Sequence, residues 1–145
     1  MRKLGFIGAL LTATLWAASA CAAPTLRPGA WETRIDGDDP DRVCYGSGVV
    51  MDLAGVTKMT ASVSRGSCSV QNFKNAGSTV TYDTVCQGRA GRIVTASTVT
   101  ALNADNLTSK AHTHFDSGPK RPDSDTSKTY HFVGTCKSGD MQAKF

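Results

Sequence analysis

Cys68-Ser-Val-Gln-Asn-Phe-Lys-Asn-Ala-Gly-Ser-Thr-Val-Thr-Tyr-Asp-Thr-Val-Cys86 is the stretch whose reading decides the fold. Two β-favouring runs flank Asn75-Ala76-Gly77, a turn signal with glycine where positive φ is needed. Folding the stretch about Gly77 sets Cys68 opposite Cys86, Val70 opposite Thr84 and Asn72 opposite Tyr82. Cysteines directly opposed on antiparallel strands are close enough to bridge. The reading is a hairpin stapled by Cys68–Cys86.

Further strands extend outward from this hairpin. Upstream, Trp31, Thr33 and Ile35 alternate with polar neighbours and define a first strand. Val43-Cys44-Tyr45 is a short extended piece. Residues 49–59, apolar at 49, 50, 53 and 56, have room for one short helix. Downstream, Thr- and Val-rich segments at 92–102, 107–116 and 129–136 read as strands. Turns at 87–91 and 103–106 separate them, with a polar loop at 117–128 and a loose tail from Lys137. Pairing Cys86 with Arg92, Leu102 with Leu107 and Phe115 with Tyr130 collects an apolar face. That face holds Cys68, Val70, Val80, Tyr82, Cys86, Val94, Ala96, Leu102, Leu107, Ala111, Phe115, Tyr130, Phe132 and Cys136. One-sided alternation is the mark of an antiparallel meander with one wet face. The expected fold is all-β: a curved antiparallel meander sheet, or a small partly closed barrel, of about six strands.

The start of the chain carries a different message. Arg2 and Lys3 precede an apolar run from Leu4 to Ala18, and small residues follow in Ala18-Ser19-Ala20-Cys21-Ala22. This is the pattern of a secretory signal peptide, over residues 1–22, with cleavage after Ala22. Residues 23–145 then form a single disulfide-bonded β domain. The alternative is cleavage before Cys21 and lipid attachment to that cysteine, giving an anchored lipoprotein. No segment beyond the leader is apolar enough to span a membrane. Without the leader, 14 basic residues face 12 acidic ones, interspersed, which is no nucleic-acid signature. Of the five cysteines, Cys44, Cys68, Cys86 and Cys136 remain, an even number suited to two disulfides in an exported chain. Once Cys68 pairs with Cys86, Cys44 is left to pair with Cys136.

Gly29-Ala30-Trp31-Glu32, Cys44, Cys68, Gly77-Ser78-Thr79-Val80-Thr81-Tyr82, Cys86 and Cys136 follow one another along most of the mature chain. In this the chain resembles the exported bacterial proteins of domain-of-unknown-function family 3617. The resemblance implies an exported, disulfide-bonded β domain and implies no activity.

Catalytic patterns are missing from the sequence. Glu32 is the only glutamate, so a glycosidase pair would need aspartates, and these sit in turns such as 36–41 and 123–125. Asp36-Gly37-Asp38-Asp39-Pro40-Asp41 lacks EF-hand spacing. Gly46-Ser47-Gly48 is no nucleophile elbow. Gly88-Arg89-Ala90-Gly91-Arg92 is too short to cradle a phosphate. With the pairing given above, His112 and His114 meet His131 across two strands, making them the candidates for a metal site. An open sheet face offers such a site no supporting shell, so no metal or other cofactor is expected. The sequence therefore points to a non-enzymatic, monomeric periplasmic or secreted protein. Its expected role is to bind a small apolar ligand or an envelope protein. The competing reading is a metal-dependent hydrolase using the three histidines.

Overall fold

The computed structural model describes residues 25–46, 52–55, 67–88, 91–116 and 121–142. The leader, Cys21 and the flanks of the expected helix lie outside these residues. The chain forms eight strands: β1 (Gly29–Ile35), β2 (Asp41–Tyr45), β3 (Cys68–Ala76), β4 (Thr79–Gly88), β5 (Gly91–Asn103), β6 (Asn106–Phe115), β7 (Ser124–Gly134) and β8 (Met141–Gln142). They make one sheet in the order β3-β4-β5-β6-β7-β1-β2-β8, which does not close on itself. Neighbours are antiparallel except β2 and β8, which run parallel. Strands β3 to β7 are a meander of consecutive hairpins. The first strand, β1, then docks on β7 and joins the two ends of the chain.

The founding hairpin forms as its residues dictate. Cys68 pairs with Cys86 and Val70 with Thr84, and Gly77 has φ of 67° in the turn. A disulfide links Cys68 to Cys86 with Cα atoms 4.0 Å apart. Asn72 does not face Tyr82, because a bulge intervenes between Gln71 and Lys74. Asn72 itself takes φ of 53°, a left-handed conformation that asparagine tolerates better than most residues. Its amide donates to Asp83 Oδ2 at 2.6 Å. A second disulfide joins Cys44 on β2 to Cys136 just after β7, across 92 positions of sequence.

All three expected registers are corrected. Gly88 pairs with Gly91, so Cys86 meets Ile93 rather than Arg92. A bulge between Ala101 and Asn103 then puts Ala101, not Leu102, opposite Leu107. A one-residue slip turns a strand over. Ser97, Val99 and Ala101 therefore point inward, while Ala96 and Leu102 are exposed, Leu102 at 63 %. Strand β5 carries small or apolar residues on both faces, so its own pattern could not choose, and the turn and bulge did. On β7, residues 124–128 belong to the strand instead of a loop, and Leu107 rather than Phe115 meets Tyr130. Asp125 and Ser127 fall on the wet face, while Thr126 and Lys128, half-buried, alternate onto the other. The tail is held as well: β8 pairs with β2, and Lys137 N–H donates to Asp140 Oδ2 at 2.6 Å. That bond is the main cause holding the Asp140 carboxyl below its usual pKa, with Arg42 at 2.8 Å adding to it.

The core gathers Leu26, Trp31, Leu53, Val80, Val99, Ala101 and Leu107, with Phe73, Tyr82, Tyr130 and Phe132 packed around them. Trp31 on β1 and Val80 on β4 share this cluster although β5, β6 and β7 separate their strands in the sheet order. The sheet must therefore curl, with its apolar side inward. Leu53, on a helical segment over 53–55, and Leu26 fill the space so enclosed. Gly29 closes one corner with φ of 139°, and a Cβ there would lie 2.4 Å from the Gly134 carbonyl oxygen. Only glycine lets the two backbones approach so closely.

Burial also reaches three tyrosines beside the core. Tyr45, Tyr82 and Tyr130 all have raised hydroxyl pKa values, caused chiefly by desolvation. Tyr130 is pushed up to about 12, with smaller contributions from Tyr45 and Tyr82. A raised folded value means that the neutral hydroxyl contributes stability below the unfolded pKa of about 10, and that this is lost as pH rises through about 12. An ultraviolet titration should show the last phenol ionising near the onset of alkaline unfolding. In Tyr130→Phe that final phase is absent. Its persistence would show that Tyr130 is not the late titrating group.

A candidate binding cleft on the wet side of the sheet

Strand alternation puts two rows of side chains on the face opposite the core. In one row Lys74 pairs with Thr81, Thr81 with Thr98, Thr98 with Lys110 and Lys110 with Ser127. In the next, Asp83 pairs with Ala96, Ala96 with His112 and His112 with Asp125. Beside the bulge at Asn72 lies a cleft of about 730 Å³ lined by both rows. Asp36 closes one end, held by mutual backbone and side-chain bonds to Ser127 of 2.8 and 2.7 Å.

Charge in the cleft is unevenly engaged. Asp83 accepts the Asn72 amide, Asp125 faces His112, and Asp36 accepts the Ser127 N–H. Lys74 and Lys110 make no ion pair among the described residues. The floor between them is Thr81, Thr98 and Ala96, small side chains that leave the backbone within reach. A further row behind it, Thr79 to Thr100 to Thr108 to Thr129, continues the hydroxyl surface. Thr79 and Thr100 share a hydrogen bond of 3.3 Å.

The histidines do not converge. His131 pairs with Asn106 and bonds its side chain at 2.8 Å, whereas His112 pairs with Asp125. Six residues of β6 separate Asn106 from His112, about 20 Å of strand. The expected facing of His114 and His131 depended on pairing Phe115 with Tyr130, which the longer β7 overturns. His112 and His114 instead enter a chain of carboxylates. His112 Nδ1 lies 2.8 Å from Asp125 Oδ1 and its Nε2 3.5 Å from Asp123 Oδ2. His114 Nδ1 lies 2.8 Å from Asp123 Oδ1 and its Nε2 3.5 Å from Asp116 Oδ1, and Asp116 also pairs with Arg92. Among the described residues no group of three or more His, Cys, Asp or Glu side chains is arranged to hold a metal ion.

This chain of charges ties residues 121–123 and the start of β7 to β6. The pKa of His112 is raised, first by its bond to Asp125 and then by the nearby charges of Asp125 and Asp123. The contribution is therefore complete below the unfolded imidazole value of about 6.5 and is lost as pH rises through the higher folded value. Following the imidazole proton shifts by NMR should place the His112 midpoint above that of an unfolded control. Asp125→Asn should lower it. An unmoved midpoint in that variant would dissociate Asp125 from the shift.

Lys74, Asp83, Thr98 and Lys110 belong to no sequence motif. The signal that could have found them was Thr79-Val80-Thr81 and Thr98-Val99-Thr100, where valine faces the core and threonine the other side. That alternation marks a hydroxyl-bearing face, but only register aligns the rows across strands.

Fold and site together define an all-β domain stapled by two disulfides, with an apolar core on one side of the sheet and a cleft on the other. The chain belongs to the DUF3617 family, described as a protein of unknown function, whose model matches residues 26–136. That span runs from the first core residue, Leu26, to Cys136 of the second disulfide. No curated protein and no solved structure matches the chain. Two disulfides fit a non-cytoplasmic location. No helix among the described residues is long and apolar enough to cross a membrane.

Proposed function

We propose that this is a non-enzymatic binding protein of the bacterial periplasm, exported by the signal peptide at residues 1–22 and seating its ligand in the cleft of the polar sheet face. The observation that carries this reading is the cleft itself. A cleft of about 730 Å³ is framed by two lysines that make no ion pair among the described residues, and is floored by the hydroxyls of Thr81 and Thr98. A cleft of this size is within the range of small-molecule sites. The apolar side is a weaker seat for an apolar ligand, because Leu26, Trp31 and Leu53 occupy its curl.

The test is native mass spectrometry of the mature protein purified from its host, alongside the Lys74→Ala/Lys110→Ala variant. A non-covalent adduct carried by the natural protein and lost by the variant is expected. If neither protein carries an adduct, and a metabolite extract of the host shifts the melting temperature of both equally or not at all, the cleft is not a ligand site.

A further inference from the structure

We infer that the cleft is a subsite for an acidic oligosaccharide, whose hydroxylated rings lie across the strands over Thr81 and Thr98 and whose anionic groups reach Lys74 and Lys110. The inference rests on the binding reading above and adds the class of ligand. Three features of the cleft lead to it.

The first is spacing. Lys74, Thr81, Thr98, Lys110 and Ser127 occupy successive strands in one row. Adjacent strands lie about 4.8 Å apart, so a hydroxyl or ammonium recurs at that interval perpendicular to the strands. This is close to the rise of one ring along an extended glycan, so successive rings can meet successive strands. The Cα atoms of Lys74 and Lys110 are three strand steps apart, about 14 Å. Their long side chains can contact charges on non-adjacent rings.

The second is the pattern of donors and acceptors. Sugar hydroxyls both donate and accept. Thr81, Thr98 and Ser127 do the same, and the carboxylates of Asp83 and Asp125 keep lone pairs beyond those given to Asn72 and His112. A hydrocarbon ligand would leave these groups dry and unpaired, at a cost.

The third is sign. The three carboxylates lining the cleft, Asp36, Asp83 and Asp125, each accept or share a hydrogen bond within the fold, whereas Lys74 and Lys110 make no ion pair among the described residues. Ammonium groups without internal partners are what an incoming carboxylate or sulfate would use.

The experiment uses the mature protein with its disulfides intact, titrated with tetragalacturonate and a hyaluronan tetrasaccharide, with cellotetraose as the neutral comparison. Binding is read by backbone amide shifts in NMR and by calorimetry at low and physiological salt. The expected result is binding of at least one acidic probe, with shifts centred on Thr81, Thr98 and Lys110. Affinity should fall with salt. It should weaken about tenfold in Lys110→Ala, as loss of a charge-assisted contact would produce, with the melting temperature unchanged. Cellotetraose should bind more weakly. Equal binding of neutral and acidic probes, shifts mapping elsewhere, or no binding of either acidic probe overturns the inference. If the acidic probes fail while the protein still carries a lysine-dependent adduct from its host, only the ligand class is wrong. If that adduct is missing as well, the binding reading falls with it.

Discussion

Replacing Cys44 and Cys136 together with alanine should lower the unfolding free energy by about 4–5 kcal/mol, the larger of the two disulfide effects in this chain. The bond spans 92 positions, and in the chain-entropy account a loop of that length costs the unfolded state about 4.7 kcal/mol of lost freedom when closed. The bridge at Cys68–Cys86 spans 18 and should be worth about 3 kcal/mol. Position adds to length. Cys44 is buried at 2 % exposure on β2, and its partner follows β7, so the bond sits beside the seam where β1 joins β7. That seam brings the first strand to the last long one and, with the short β2–β8 pairing, is the least local part of the sheet. Urea denaturation of the two double-alanine variants checks the ordering. Equal losses, or a larger loss for Cys68/Cys86, would mean that the length of the closed loop does not set the ranking. The chain beyond residue 22 has Trp31 as its only tryptophan, so its fluorescence reports the transition in both variants.

Trp31→Ala should cost about 3–5 kcal/mol, the range for emptying a large buried aromatic site. Trp31 is 2 % exposed and stands at the centre of the core cluster. Its Nε1 donates to the Arg27 carbonyl at 2.9 Å, and its ring meets Phe132 edge-on at 5.7 Å between centroids. The loss therefore combines burial, a hydrogen bond and an aromatic pair. Arg27 would suffer next, since it stacks on Phe132 at 5.6 Å and pairs with Asp105 at 3.0 Å. Trp31→Phe keeps part of the volume and should fall between the natural protein and the alanine variant. Circular dichroism in urea should show a lower midpoint with an unchanged slope. A loss below about 1 kcal/mol would show that β1 is not integral to the core, since such small values belong to surface positions.

Much of this architecture is legible in the chain itself. Cys68 and Cys86 stand symmetrically about Gly77, and that alone places the hairpin and its staple. Trp31, Thr33 and Ile35 announce β1 by alternation. The site is less legible. The expected meeting of His112, His114 and His131 depended on where β7 begins, and the polar run 124–128 looks like loop because its residues are polar. On a wet sheet face polarity is no obstacle to a strand, so composition could not locate the boundary. The cleft is hidden for a related reason: Lys74, Thr81, Thr98 and Lys110 are scattered over four strands, and nothing in their local sequence links them.

The amino-acid sequence by itself determined the all-β class, the hairpin at Cys68–Cys86 and which residues are apolar enough to make a core. These follow from local rules: alternation with period two, glycine in a positive-φ turn, and cysteines opposed across one short connection. Only the tertiary structure decided which face of β5 turns inward, how β1 meets β7, and that two lysines and three hydroxyls fall into one row. Register is a long-range property. A shift of one residue costs little in local propensity but exchanges the buried and wet faces of a strand. The choice is therefore made by turns, bulges and the packing of distant side chains such as Trp31 and Leu53.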